Sequence, residues 1–197
     1  MKRCGADDIA SRRRRRAARA LLLVLAALLL GHTGYLQAKA LLAQVLLEQA
    51  WRRSDAGRIK AKPWPWADTR PVARLQVAAL KVDLIVLAGD SGRTLAFGPA
   101  WNEASALPGQ AGASIVCGHR DTHFAFLREL QIGERIEIEH AGEHLHYRVS
   151  GTRVVDARTT RLVTTDDGER LLLVTCWPFD DWVAGGPLRY VVEAQRR

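Results

Sequence analysis

Three hydrophobic patterns follow one another along the 197-residue chain. Residues 20–30 are continuously apolar, and the segment continues to Leu36 with no helix breaker except Gly31 and Gly34. A helix over 20–36 would rise about 25 Å, close to the thickness of a bilayer core. Between Leu41 and Ala50 the apolar residues recur every three or four positions, which predicts an amphipathic stalk helix ending near Arg53. From about Arg74 onward, apolar and polar residues alternate, as they do in strands with one buried face.

The alternating part of the chain predicts an all-β domain. The clearest runs are Leu80, Val82, Leu84 and Val86, then Ile136 and Ile138, then Leu145, Tyr147 and Val149. Turn sequences at 89–92, 108–112, 141–142 and 166–168 separate the runs, and strands this short favour a small barrel or sandwich. The Asp-Asp-Gly at 166–168 is expected to be a plain turn, since calcium requires about six to eight oxygen ligands.

The segment between the helices and the strands contains two prolines and two tryptophans at 63–66, which predict an extended linker. The patterns together divide the chain into four parts. They are a basic tail (1–19), a transmembrane anchor (20–36), a stalk helix and linker (37–69), and a β domain (70–197).

Charge changes the picture mainly at the N-terminus. The net charge is +8, but much of the excess lies in the tail, at Lys2, Arg3, Arg12, Arg13, Arg14, Arg15, Arg16 and Arg19. The folded part is therefore nearly neutral, which argues against a nucleic-acid-binding protein. A basic flank before an apolar run is typical of an export signal, and it predicts a cytoplasmic N-terminus with everything after the span outside.

The apolar segment has three interpretations. We favour an uncleaved anchor, because the segment continues past the apolar run through Tyr35 and Leu36 with no helix breaker except Gly31 and Gly34. Cleavage after the A-x-A pattern at 38–40 is an alternative, although that pattern lies well past the run. A buried helix of a soluble protein is the third.

Candidate chemistry centres on Cys176, one of three cysteines with Cys4 and Cys117. Their odd number and wide spacing exclude a disulfide scaffold and give no zinc motif, so neither metal nor cofactor is expected. Cys176 ends the apolar run at 171–174, and Trp177-Pro178 then stops the strand pattern. A thiol in that position is held rigidly and can face a groove.

Two further residues give the thiol a chemical context. His119 follows an upstream apolar run, and Arg189 lies downstream in an apolar strand, where an unpaired guanidinium is costly to bury. A thiol, an imidazole and a guanidinium at separate strand ends form a plausible acyl-transfer constellation. Each residue alone is weak evidence, since a lone strand-end cysteine is more often a small buried hydrophobe.

The residues around these three resemble the sortase family. The Leu-Leu-Val-Thr-Cys at 172–176 is similar to the sortase signature T-L-x-T-C, with Leu172 in place of the first threonine. Gly118-His119 resembles the histidine motif, and Arg189 falls at the family's arginine position, late in the next strand. The resemblance covers about 70–192. The sequences at 64–69, 95–99 and 118–124 are similar to the Gram-negative, or marine proteobacterial, subgroup.

The resemblance implies a closed eight-stranded β-barrel and a cysteine transpeptidase. Cys176 would attack a peptide carbonyl, His119 would protonate the departing amine, and Arg189 would stabilise the oxyanion or hold substrate carbonyls. Thr175 is a candidate substrate contact. The expected partners are an exported protein with a C-terminal sorting signal and an amine acceptor. The expected location is the inner membrane, with the catalytic domain in the periplasm.

Three alternatives stay open at this point. The barrel could bind a peptide without catalysis. It could also be an anchored cysteine hydrolase in which Asp121 orients His119. Separately, Cys117 lies two residues before His119 and would share a strand face with it, so a disulfide between Cys117 and Cys176 could switch the enzyme off. A buried spectator thiol is the simpler role for Cys117.

Overall fold

The computed structural model describes residues 4–162, 168–181 and 185–197, with side chains from residue 19 onward. The chain forms two compact units, the first ending at Leu42 and the second running from Ala43 to Arg197. The expected turn at 166–168 falls mostly outside the described residues.

A single helix, α1 (Cys4–Arg53), covers both the predicted anchor and the predicted stalk helix. From Arg19 onward it is long and apolar enough to cross a membrane, by length and composition. A signal sequence near an N-terminus passes the same test. The helix ends at Arg53 because Asp55, Ala56 and Gly57 adopt left-handed backbone angles, with φ of 50°, 55° and 92°.

The strands of the second unit close into a barrel in the order β1-β2-β3-β4-β7-β8-β6-β5. Their bounds are β1 Pro71–Val77, β2 Val82–Ala88, β3 Ala100–Trp101, β4 Gly112–Cys117, β5 Arg135–His140, β6 Glu143–Asp156, β7 Glu169–Cys176 and β8 Leu188–Arg196. A short helix α2 (Gly92–Leu95) and two 3-10 helices, Ala78–Leu80 and Ala125–Arg128, lie between strands. The expected eight-stranded barrel is confirmed. The alternating pattern predicts a strand that includes Leu80, and this is wrong, since Leu80 lies in the first 3-10 helix.

Two apolar clusters lie on opposite faces of the β4–β7–β8 sheet, because side chains alternate along a strand. Leu171, Leu173 and Val192 point into the barrel core. The outer-face cluster consists of Ala113, Ile115, Leu172, Val174 and Val191, with Cys117, Val155 and Leu162 partly buried against it. By alternation, Cys176 and Arg189 continue the outer face.

The last turns of α1 and the linker pack against the barrel within the second unit. Leu47 is buried together with Leu87 and Ala100. Trp64 of the expected linker places its ring edge-on to Phe97, with 5.1 Å between centroids. The stalk end and the linker are thus fixed on the β domain by apolar contacts.

Candidate active site

Strand register brings Cys176 and Arg189 together. The strands β7 and β8 are antiparallel, and Cys176 lies directly opposite Arg189. The sequence placed Arg189 late in its strand, which is wrong, since it is the second residue of β8 (Leu188–Arg196). The end of one antiparallel strand faces the start of the next, and this is why a residue thirteen positions away becomes a cross-strand neighbour.

The guanidinium of Arg189 is anchored on one side. Its Nη1 donates to the carbonyl oxygens of Gly186 (2.5 Å) and Leu188 (2.9 Å). Within the described parts of the chain, Nε and Nη2 have no hydrogen-bond acceptor. Arg189 therefore has a fixed geometry and retains two donor groups for another partner.

His119 follows β4, whose last residue Cys117 pairs with Val174 of the parallel strand β7. The backbone N–H of Gly118 donates to the carbonyl of Val174 at 3.0 Å, which extends the ladder by one bond. The chain then turns, and the N–H of Phe124 donates to the His119 carbonyl at 3.0 Å. The histidine side chain is exposed at the same end of the sheet as Cys176.

Glycine at position 118 is required by a close approach. A Cβ there would lie 2.6 Å from Cγ of Phe124, whose ring is fully buried. The ring packs flat against the glycine and thereby sets the turn that carries His119. Sequence analysis identifies Gly118 only as part of a motif, and no local pattern indicates that Phe124 would be the residue packed against it.

Thr175 is 2% exposed, and its hydroxyl donates to the carbonyl of Gly118 at 2.7 Å. Its side chain thus points to the histidine turn and away from the outer face that holds Cys176. A buried hydroxyl with its proton already donated is badly placed for the substrate contact expected from the sequence. Its geometry is that of a residue that fixes the two strand ends relative to each other.

Arg120 is a buried arginine that sequence reasoning missed. It is 4% exposed, and its guanidinium donates to the carbonyls of Pro178 (2.6 Å) and Asp181 (2.5 Å). These carbonyls belong to the loop that follows Cys176. The sequence places Arg120 in a polar loop, where arginines are usually exposed, so no local signal indicates that it is buried.

Asp121 does not support the His/Asp arrangement of the hydrolase alternative. Its carboxylate is 66% exposed and accepts a hydrogen bond from Nε of Arg120 at 3.3 Å. Among the described residues no hydrogen bond joins Asp121 to His119. His123 is the other histidine of the turn, and burial, followed by the nearby His119, lowers its pKa.

A cavity of about 640 Å³ lies beside this turn, lined by His123, Phe126, Leu80 and the first residues of β2. None of Cys176, His119 and Arg189 lines it. It is therefore separate from the outer-face cluster, which lies on the face of β7 that Cys176 continues.

Cys117 lies against the outer-face cluster, with its Sγ 4.0 Å from Oδ2 of Asp90. Burial, with the Asp90 carboxylate second, raises the pKa of this thiol to about 12. Both Cys117 and Cys176 are free. From the β4–β7 register their Cα atoms are roughly 8 Å apart, slightly more than a disulfide spans without backbone movement.

The redox hypothesis for Cys117 therefore gains no support. Its premise also fails in part, because β4 ends at Cys117 and strand alternation does not extend to His119. The geometry favours a spectator thiol. Within the described residues no group of three or more His, Cys, Asp or Glu side chains is arranged to hold a metal ion.

The structure thus gathers the three predicted residues at one end of the β4–β7–β8 sheet. A nucleophilic thiol on a strand end, an exposed imidazole and a partly free guanidinium can perform acyl transfer without a cofactor.

Comparison with known proteins identifies the family. A sequence model of the sortase domain matches residues 75–197. Sortase D of Bacillus subtilis (strain 168) is 28% identical over 123 residues, which make up 62% of this chain and 62% of that relative. The chain therefore spans less than two thirds of that relative's length.

Solved structures share the barrel. A sortase D5 transpeptidase from Clostridium perfringens superposes with a TM-score of 0.64 at 21% identity, covering 79% of this chain and 98% of that one. Sortase A from Corynebacterium diphtheriae gives 0.61 at 22% identity, covering 79% and 84%. Sortase C-1 from Actinomyces oris gives 0.55 at 26% identity, covering 64% and 74%.

Proposed function

The chain belongs to the sortase family, and from that premise we propose that it is a membrane-anchored cysteine transpeptidase. It would cleave a C-terminal sorting motif of an exported protein through a thioacyl intermediate and transfer the acyl group to an amine. The observation that carries this proposal is the cross-strand pair of Cys176 and Arg189, with His119 tied to the same strand end through Gly118.

The reaction would have two halves and no net redox change. The Cys176 thiolate attacks the scissile carbonyl, Arg189 stabilises the oxyanion through its remaining donors, and the C–N bond breaks as the amine takes a proton from His119. An incoming amine then attacks the thioester, His119 takes its proton, and the C–S bond breaks. One amide is lost and one is formed.

The substrate and the location belong to the same proposal. Residues 1–19 would form a cytoplasmic tail, 20–36 the anchor and 37–69 the connection to the catalytic barrel at 70–197, in the periplasm of a Gram-negative cell. We propose a positioning role for Thr175 in place of substrate contact, because its hydroxyl is buried against Gly118.

Product analysis tests the proposal and separates transfer from hydrolysis. The full chain in detergent is incubated with a library of fluorogenic peptides, with and without glycine amide or hydroxylamine as the acceptor. We expect new amide or hydroxamate products that depend on Cys176 and increase with acceptor concentration. Hydrolysis that no acceptor diverts would favour the cysteine hydrolase. Peptide binding without any product would favour the silent barrel.

A further inference from the structure

The exposed catalytic candidate His119 lies between two buried residues. Gly118 is buried on one side and Arg120 on the other, while the imidazole itself is exposed. An exposed side chain on a turn has little packing of its own to fix it. Its position relative to Cys176 must therefore come from its neighbours in the chain.

The first anchor precedes the histidine. Gly118 donates its N–H to the Val174 carbonyl at 3.0 Å, and its own carbonyl accepts the Thr175 hydroxyl at 2.7 Å. Both partners belong to β7, immediately before Cys176. The chain entering His119 is thus bound to the strand that carries the nucleophile.

The second anchor follows the histidine. The guanidinium of Arg120 donates to the carbonyls of Pro178 (2.6 Å) and Asp181 (2.5 Å), in the loop immediately after Cys176. A lysine cannot reproduce this pattern, because the planar fork of arginine directs two donors to two separate acceptors. The chain leaving His119 is therefore bound to the segment that leaves the nucleophile.

We propose that Arg120 is a positioning residue that holds His119 at reacting distance from Cys176, an inference that rests on the proposed function. The first anchor immediately precedes His119 and Cys176 and the second follows them, so the two residues cannot move apart without breaking one of these hydrogen bonds. Arg120 donates to backbone carbonyls of the loop after Cys176, so its part in catalysis is geometric.

Arg128 provides a matched control, because it is a second arginine that contacts the loop after Cys176. Its side chain is 44% exposed, lies 3.4 Å from the Asp180 carboxylate and stands 5.2 Å from the centre of the Phe179 ring. An exposed ion pair of this kind contributes little to stability. Arg128 thus contacts the loop after Cys176 through the side chains of Asp180 and Phe179.

The experiment compares Arg120→Gln, Arg120→Lys and Arg128→Gln with the wild-type full chain in detergent, on a fluorogenic peptide selected from the library. For Arg120→Gln we expect kcat to fall about 100-fold, the loss that a misplacement of about 1 Å causes, with KM changed less than about threefold. Arg120→Lys should recover only part of this loss. Arg128→Gln should stay close to wild type.

Labelling of Cys176 by iodoacetamide separates positioning from general damage. It should be unchanged in Arg120→Gln, because the β7–β8 register fixes the thiol independently of Arg120. Near-normal kcat in either folded Arg120 variant would overturn the proposal, as would a parallel loss of kcat, labelling and thermal transition. If Arg120→Gln does not fold, Arg120→Lys decides alone, since it keeps the buried charge. Failure of the proposed function would appear in the wild type, as absence of any acyl product.

Discussion

At the scale of single residues, the two thiols on the outer face have contrasting surroundings. Cys176 ends β7 opposite a guanidinium, whereas Cys117 is partly buried beside Asp90, and burial, followed by the Asp90 carboxylate, raises the pKa of Cys117 to about 12. At pH 8 Cys117 is therefore expected to be a thiol, and only the thiolate reacts. The two cysteines are therefore not interchangeable, even though they lie on the same face.

In the wild type we expect iodoacetamide at pH 8 to modify Cys117 only after unfolding. In folded Asp90→Asn we expect Cys117 to be modified faster than in folded wild type, because the Asp90 carboxylate, together with burial, raises the pKa of the thiol. Folded-state stability should also decline as the pH rises from about 9 to about 12, since unfolded Cys117 ionises first. Mass spectrometry of the tryptic peptides locates the label. Equal labelling of Cys117 in folded and unfolded protein would contradict this account.

Arg189→Lys is expected to lose activity almost as severely as Arg189→Ala, by about 100-fold or more, as when a single oxyanion donor is removed. Nη1 of the guanidinium donates to the carbonyls of Gly186 and Leu188, and its other donors remain for the substrate. A lysine ammonium cannot bind these carbonyls and the substrate together. The measurement is kcat of both variants. Arg153→Lys, at a half-buried ion pair with Glu193, is the control. Turnover close to wild type in the lysine variant would show that charge alone suffices.

At the scale of elements, the decisive feature is the junction between the end of β4 and the end of β7. The junction joins Gly118 to Val174 and Thr175, and the ring of Phe124 packs on it from the other side. These contacts convert a turn in the sequence into a fixed support for His119. Disturbing the junction should therefore reduce activity without touching any reacting group.

Gly118→Ala tests the junction, because the added Cβ would meet the buried Phe124 ring at 2.6 Å. Overpacking of this kind costs about 1–3 kcal/mol, and the displaced turn should lower kcat as well. Gly151→Ala is the matched control, since a Cβ there meets nothing within 4 Å. Denaturant unfolding and kcat are measured for both. A Gly118→Ala protein as stable and active as wild type would refute the proposed junction.

Much of this scale could be predicted from the sequence, and the reasons for success and failure are physical. Alternation located β2, β5 and the first part of β6, and the turn expected at Ala141-Gly142 lies between β5 and β6, where both residues have left-handed φ angles of 52° and 78°. Leu80 was misassigned because one apolar residue at the right spacing cannot distinguish a strand from a 3-10 turn. The position of Arg189 in its strand and the burial of Arg120 depend on cross-strand register and long-range contacts, which local patterns do not contain.

At the scale of the whole molecule, the chain combines one apolar N-terminal helix with a closed barrel of the sortase type. The arginine run before the apolar segment favours a cytoplasmic N-terminus. The β domain would then lie outside the cytoplasmic membrane, which is where an exported substrate could reach Cys176.

The orientation can be measured with protease added to intact spheroplasts. We expect the β domain to be digested there, and a tag at the N-terminus to be protected until lysis. A cytoplasmic protein followed in the same samples shows that the spheroplasts are intact. A β domain that resists protease until lysis, under conditions that digest it afterwards, would place it on the wrong side of the membrane.

The central claim is that Cys176 forms a thioacyl intermediate, and mass spectrometry of the full chain incubated with the peptide library tests it most directly. Trypsin should release residues 171–189, in which Cys176 is the sole cysteine. We predict an added acyl mass on that peptide, its discharge by hydroxylamine as the hydroxamate, and neither signal in folded Cys176→Ala. Peptide cleavage by folded Cys176→Ala, or an acyl group found only on Cys117 or Cys4, would contradict the claim.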